Sequence, residues 1–358
     1  MKRYLMIVVI ALTSLLIFWT PFLFKTGTFW GINFENHGME TIVQNFDGLN
    51  YLSVAKTMYD SQPIYYAAHF PLYPLLICTL DVFMTGPQAL LGSIIISNIL
   101  LAIGLYIFFR VFVKNQKLVV ILTTVALFFP ARMLSVRGVG TSEPLFMFFV
   151  LTSLSYASRG KHWWATILGS LAVLTRIPGI LLFGAYFIQF AILNLQFTKK
   201  LKLLFPYLLM PISLTLLFVF YEQKFGSFWA YFNSSSELHP VFFPPFLIFS
   251  NTAKWITDMW REDIIYIYLF YGLGLGLVKE KTIKVFGFIT GTLLLLTAHR
   301  DLARYALPIA PIALLGFAPV LNNKYVKWGL LLLIPIYLLG WQFVVENVQS
   351  ISDWSSLI

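Results

Sequence analysis

The sequence predicts an all-α fold: a polytopic integral membrane protein with about eleven transmembrane helices. Three observations lead there. Of the 358 residues, 59% are hydrophobic and 11% are charged, and the mean hydropathy is +0.79. Soluble domains carry about 25% charged residues, and a soluble core of this size could not hide so much apolar surface. Apolar runs of span-like length recur along the whole chain. The basic residues sit in short clusters between those runs, which is a membrane-topology signal. The net charge of +10 therefore does not point to nucleic acid.

The first span, about Tyr4 to Phe24, follows Lys2-Arg3 and carries bulky Phe18-Trp19 with no small-x-small cleavage site. It is expected to be a retained helix rather than a signal peptide. A span needs about 20 residues, and as few as ~17. Further spans are expected near 88–109, 118–131, 143–157, 163–175, 179–197, 202–221, 263–278, 285–298, 304–321 and 327–345. Residues 70–85 are apolar over too short a run and are expected to form a helix on the outer interface. The whole of 1–358 reads as one membrane-embedded domain with two long outer segments, 25–87 and 222–262.

Placing the N-terminus in the cytoplasm puts fifteen of the 25 basic residues in inner segments, with Glu280 the one acid among them. This Lys/Arg asymmetry supports that orientation. Inner charges are mostly Lys, from Lys114 and Lys117 to Lys324 and Lys327, whereas the outer turns are rich in Arg. The polar chemistry then lies on the outer or luminal face. One cysteine, Cys78, excludes an intrachain disulfide framework and a Cys-based zinc site. No metal and no cofactor is called for.

Five stretches could carry chemistry. Asp47, in Phe46-Asp47-Gly48-Leu49-Asn50-Tyr51, is a carboxylate at an apolar boundary. It is a candidate general base; the competing reading is an acid capping the next helix. His69-Phe70-Pro71-Leu72-Tyr73-Pro74 is a stiff aromatic re-entry whose histidine could bond a sugar hydroxyl or a phosphate. Glu143 follows Thr141-Ser142 and precedes Pro144, which also suits an acid in a first helical turn. Arg132 and Arg137, just upstream, could pair with Glu143 or with a phosphate. Arg176, in Thr175-Arg176-Ile177-Pro178-Gly179, is a phosphate candidate or a snorkelling anchor. In His299-Arg300-Asp301-Leu302-Ala303-Arg304-Tyr305, the two arginines are four apart and would share a helix face. A guanidinium fork matches phosphate oxygens, and Asp301 could hold one arginine in place.

Taken in order, these motifs resemble the GPI mannosyltransferase II (PIG-V) family and its prokaryotic relatives. Those proteins belong to the GT-C class of polytopic glycosyltransferases that use polyprenyl-phosphate sugars. The matching pieces are Phe46–Ala55, His69–Leu76, Thr141–Phe146, Leu174–Gly179 and Ala303–Pro308. The chain has Phe46 where Trp is usual, and Ile177-Pro178 where a small polar pair is common. The resemblance implies inverting transfer of a hexose, mannose by family, from a polyprenyl-phosphate-linked donor to a glycan, lipid or protein acceptor. It implies Asp47 as the base and Arg304, Arg300 and Arg176 as ligands of the donor phosphate. His69, Tyr51, Glu143, His299 and Tyr305 would then bind substrate. Two other classes suit many spans with boundary charges. A lipid or sugar transporter or flippase predicts internal repeats and midplane charges. A non-catalytic subunit of a glycosylation complex predicts that Asp47 is dispensable.

Overall fold

The computed structural model describes residues 2–192, 196–234, 239–240, 246–250, 256–299 and 301–347. The described chain is overwhelmingly helical, and helix occupies all or part of each of the eleven expected spans. Three helices are long and apolar enough to cross a bilayer alone: Lys2–Phe24, Gly86–Phe112 and Phe197–Phe225. A fourth candidate is a bent pair, Arg132–Gly138 with Glu143–Ala157, turned by 110°. Other apolar helices are shorter, among them Leu72–Asp81, Gln116–Ala126 and Leu333–Glu346. By length and composition the described helices therefore give three or four crossings, against the eleven expected. The short helix foreseen over 70–85 is present as Leu72–Asp81, with Tyr73, Pro74 and Ile77 buried.

Local sequence explains several helix starts. The Asn115 side chain accepts from the N–H groups of Lys117 and Leu118, and so caps Gln116–Ala126. Thr85 and Gln88 form a capping box at the head of Gly86–Phe112. The turn expected between residues 132 and 143 is itself partly helical, as Arg132–Gly138. Buried Arg137 holds it there: Nε donates to the Leu127 carbonyl at 2.8 Å, and Nη1 to Asn98 Oδ1 at 3.0 Å. Trp19 adds a bond to the Gly138 carbonyl at 2.7 Å. Two very short ladders join the helices, Thr28–Phe29 with Ile32–Asn33 and His239–Pro240 with Thr297–Ala298.

The bundle has two chemically distinct ends. At one, Arg3 reaches Gln116 (3.0 Å) and Arg110 reaches Tyr4 (3.3 Å). Asn115 meets Asn322 at 3.5 Å. These segments are the ones the charge rule assigns to the inside. At the other end the segments around 47, 69, 143, 176 and 304 converge. The Gly86–Phe112 helix links the two places: Leu90, near its start, lies beside Gly48 and Gly140, and Arg110 is in its last turn.

Candidate active site

Asp47 sits at the N-cap position of the Gly48–Thr57 helix, yet its side chain makes no capping hydrogen bond. It turns instead to Arg304, whose Nη2 donates to Oδ2 at 2.6 Å across 257 positions of sequence. His69 Nε2 lies 3.9 Å from the other oxygen, Oδ1. Nδ1 of His69 is buried and has no hydrogen-bond partner among the described residues. A neutral ring therefore leaves its lone pair at Nδ1 and its proton on Nε2, facing Asp47, since a buried N–H without an acceptor is costly.

Glu143 repeats the pattern. Ser142 holds the N-cap of Glu143–Ala157 and also makes no capping bond. Ser142 Oγ lies 2.7 Å from the Tyr51 hydroxyl and accepts from Arg176 Nη1 at 3.2 Å. One oxygen of Glu143, Oε1, accepts from Arg176 Nη1 at 2.7 Å and also from Arg304 Nε. Both helix starts forgo a cap worth about 0.5–2 kcal/mol and direct their polar side chains into one shared cluster. Arg176 follows the last residue of the His162–Thr175 helix, where the helix dipole favours a cation.

The two turns meet because small residues face each other. A Cβ on Gly140 would lie 2.8 Å from Gly48 Cα, closer than real Cβ atoms pack. Phe46, next to Asp47, adopts φ +50°, a region that bulky residues seldom take.

Exposure separates the two acids. The side chain of Asp47 is 26% exposed, whereas that of Glu143 is 3% exposed. Asp47 is open to a second molecule; Glu143 holds two arginines from beneath. Burial opposes the charge on Asp47, but the Arg304 guanidinium and the His69 imidazole outweigh it. They hold the carboxyl well below the usual carboxylate range.

Six of the nine site residues expected from sequence thus come together: Asp47, Tyr51, His69, Glu143, Arg176 and Arg304. Tyr305 flanks them, with its ring 5.9 Å from the Arg176 guanidinium. His299 stands one layer out, its ring against Tyr305 at 4.8 Å and its Nδ1 accepting from the Asp301 N–H at 2.9 Å. Arg300 lies outside the described residues. The expected helical face shared by Arg300 and Arg304 therefore lies outside the described residues as well; Arg304 itself is on the short helix Leu302–Tyr305. Two further expectations are corrected. Arg132 pairs with Asp301 at 2.6 Å, and Arg137 is spent on backbone carbonyls, Asn98 and Ser14; neither is bonded to Glu143. Ser142 belongs to the cluster although only its neighbour Glu143 was singled out. Its place beside a Gly-Thr-Ser-Glu-Pro helix start was the available signal. Among the described residues no group of three or more His, Cys, Asp or Glu converges as a metal site.

No protein-family model matches the chain, and no curated protein matches it. Solved structures do. The oligosaccharyltransferase of Archaeoglobus fulgidus, tethered to an acceptor peptide containing the NVT sequon, superposes with a TM-score of 0.55 at 13% identity. The alignment covers 98% of this chain and 56% of that one. Archaeal oligosaccharyltransferase AglB from Archaeoglobus fulgidus, in complex with an inhibitory peptide and a dolichol-phosphate, gives 0.52 at 12% identity. It covers 98% of this chain and 57% of that one. The chain therefore spans little more than half the length of these proteins. At such identity the likeness is one of fold alone.

Proposed function

We propose that the chain is a membrane glycosyltransferase of the PIG-V-like type. It transfers a hexose, mannose in this reading, from a polyprenyl-phosphate-linked donor to an acceptor hydroxyl, with inversion. The observation that carries this is the contact of Asp47 with Arg304 at 2.6 Å. It sets a partly open carboxylate beside a guanidinium that can take a phosphate. The structural neighbours add support: one is held with a dolichol-phosphate and one with an acceptor peptide.

In the proposed reaction the acceptor oxygen attacks the anomeric carbon as its proton passes to Asp47. The bond from that carbon to the phosphate oxygen breaks, and the lipid phosphate leaves with both electrons. Arg304 and Arg176 stabilise the charge that develops on it. Charge balance fits this sequence. Asp47, Glu143, Arg176 and Arg304 sum to zero at rest. Once Asp47 holds the proton they carry one positive charge, which matches the negative charge gained by the leaving phosphate. Before donor binding Asp47 is a weak base, because Arg304 holds its carboxyl low. A donor phosphate that draws on Arg304 weakens that hold and makes Asp47 more basic. Donor binding thereby prepares the base. The Lys/Arg asymmetry puts this end of the bundle on the outer or luminal side.

The test is to incubate purified protein with labelled polyprenyl-phosphate-mannose and a panel of sugar, lipid and peptide hydroxyl acceptors, and to determine the anomer formed. The expected product has inverted configuration relative to the donor. A retained configuration, or labelled lipid merely moved across vesicles without transfer, overturns the reading.

A further inference from the structure

We propose that Phe46, backed by the Arg132–Asp301 pair, is a positioning residue that fixes where the Arg304 guanidinium meets Asp47. The Phe46 ring is buried and carries two cations. The Arg304 guanidinium lies over it, 4.9 Å from the centroid, and the Arg132 guanidinium lies over it at 5.7 Å. Phe343 packs on the same ring at 5.3 Å and is itself covered by Arg132 at 3.7 Å. A cation within about 6 Å of an aromatic face is attracted by the ring quadrupole. An aliphatic side chain of similar volume offers no such attraction.

The backbone completes the device. Arg132 Nε and Nη2 both donate to Asp301 Oδ1, at 3.0 and 2.6 Å. The carbonyl of Asp301 accepts from the Arg304 N–H at 2.9 Å. Arg304 is thus located twice: through its side chain by the ring of Phe46, and through its main chain by Asp301. Arg132 ties the two together. The φ of +50° at Phe46 is backbone strain one residue from the acid, of the kind that persists where the surroundings over-determine it. Phe46 acts through Arg304, whose guanidinium it carries.

This rests on the transferase reading for its kinetic consequence, but not for its test. The test compares full-length wild type with Phe46→Leu, Phe46→Trp and Arg132→Lys in nanodiscs. It reads Tm, kcat, KM and the pH profile, and also titrates Asp47 by 13C NMR with no substrate present. The groups facing Asp47 are Arg304, His69, Tyr51 on its own helix and, across Arg304, Glu143; all are intact in these variants. Phe46→Leu is expected to keep its Tm, to lose about tenfold in kcat and to hold its acceptor KM. Its Asp47 titration and the acid limb of its rate should both move to higher pH. Phe46→Trp should keep near wild-type kcat and titration, and Arg132→Lys should follow Phe46→Leu. A folded Phe46→Leu with wild-type kcat and titration overturns the proposal. So does a parallel loss of activity and Tm in Phe46→Leu and Phe46→Trp, which marks plain packing. If wild type transfers no sugar, the NMR titration alone decides: a shift in Phe46→Leu and none in Phe46→Trp upholds the positioning role while the transferase reading falls.

Discussion

Arg304 gives a different N–H to each of two carboxylates, Nη2 to Asp47 and Nε to Glu143, so its shape matters as much as its charge. Lysine supplies a point charge without the planar fork. Arg304→Lys should therefore lower kcat/KM by roughly 10²-fold, the scale seen when one preorganised donor is lost, even though the charge is kept. The pH profile should move as well, and its sign is fixed. A depressed carboxyl pKa keeps Asp47 ionised, and so competent as a base, down through the ordinary carboxylate range; its stabilising contribution is lost only as pH falls through the depressed value. With the Arg304 bond to Asp47 weakened, the acid limb should rise toward the ordinary range. An unmoved limb would mean that Arg304 does not set the ionisation of Asp47. At this scale the sequence was informative about residue types. Asp47, Glu143 and the outer arginines stood out because charges at a membrane boundary need partners. Which arginine met which acid was not legible. Arg132 and Arg137 lie nearest Glu143 in sequence, but a 110° bend carries them away, and Arg176 and Arg304 arrive from other helices.

The elements position the site by where they stop. The helices Gly48–Thr57 and Glu143–Ala157 begin with their N-termini in contact, and their first side chains serve the cluster rather than their own caps. Gly140 is what lets the two starts touch. Gly140→Ala should push them apart, with the 1–3 kcal/mol loss of stability typical of overpacking and a drop in kcat larger than that of a helix-surface control. Gly272→Ala is that control, because a Cβ there meets nothing within 4 Å. Thermal unfolding and initial rates of the two variants check this. Equal behaviour would remove the close approach from the explanation. Hydropathy located the helices, and several match their expected runs closely, as Glu143–Ala157 does for 143–157; others break early, as 118–131 does where residues 127–131 leave helix. The capping reading of Asp47 shows the same limit. Sequence placed the residue at the right position, and tertiary partners decided where its carboxylate went.

Across the whole molecule, charge asymmetry divided the segments into two sets; Arg3, Arg110 and Asn115 of the inner set make contacts apart from the cluster that joins Asp47, Glu143, Arg176 and Arg304. Sidedness can be read by labelling single cysteines in a Cys78→Ser background with a membrane-impermeant thiol reagent. Glu35→Cys should label from the outside of intact cells, and Lys114→Cys only after permeabilisation. The reverse pattern would invert the topology and move the cluster to the cytoplasmic face. Composition and the recurring apolar runs foretold a helical fold, and the described chain is helical, with a fold like that of an oligosaccharyltransferase. They did not foretell the convergence of Asp47 with Arg304, because no local pattern encodes a contact between residues 257 positions apart. That contact gives a base and a phosphate ligand one site, and the most direct test acts on the base. Labelled mannose transfer from polyprenyl-phosphate-mannose should be measured for wild type and for Asp47→Asn at equal expression. The expected result is robust transfer by wild type and a fall of at least about 10²-fold in the variant, the scale of general-base help. Equal transfer by both proteins would contradict a catalytic Asp47.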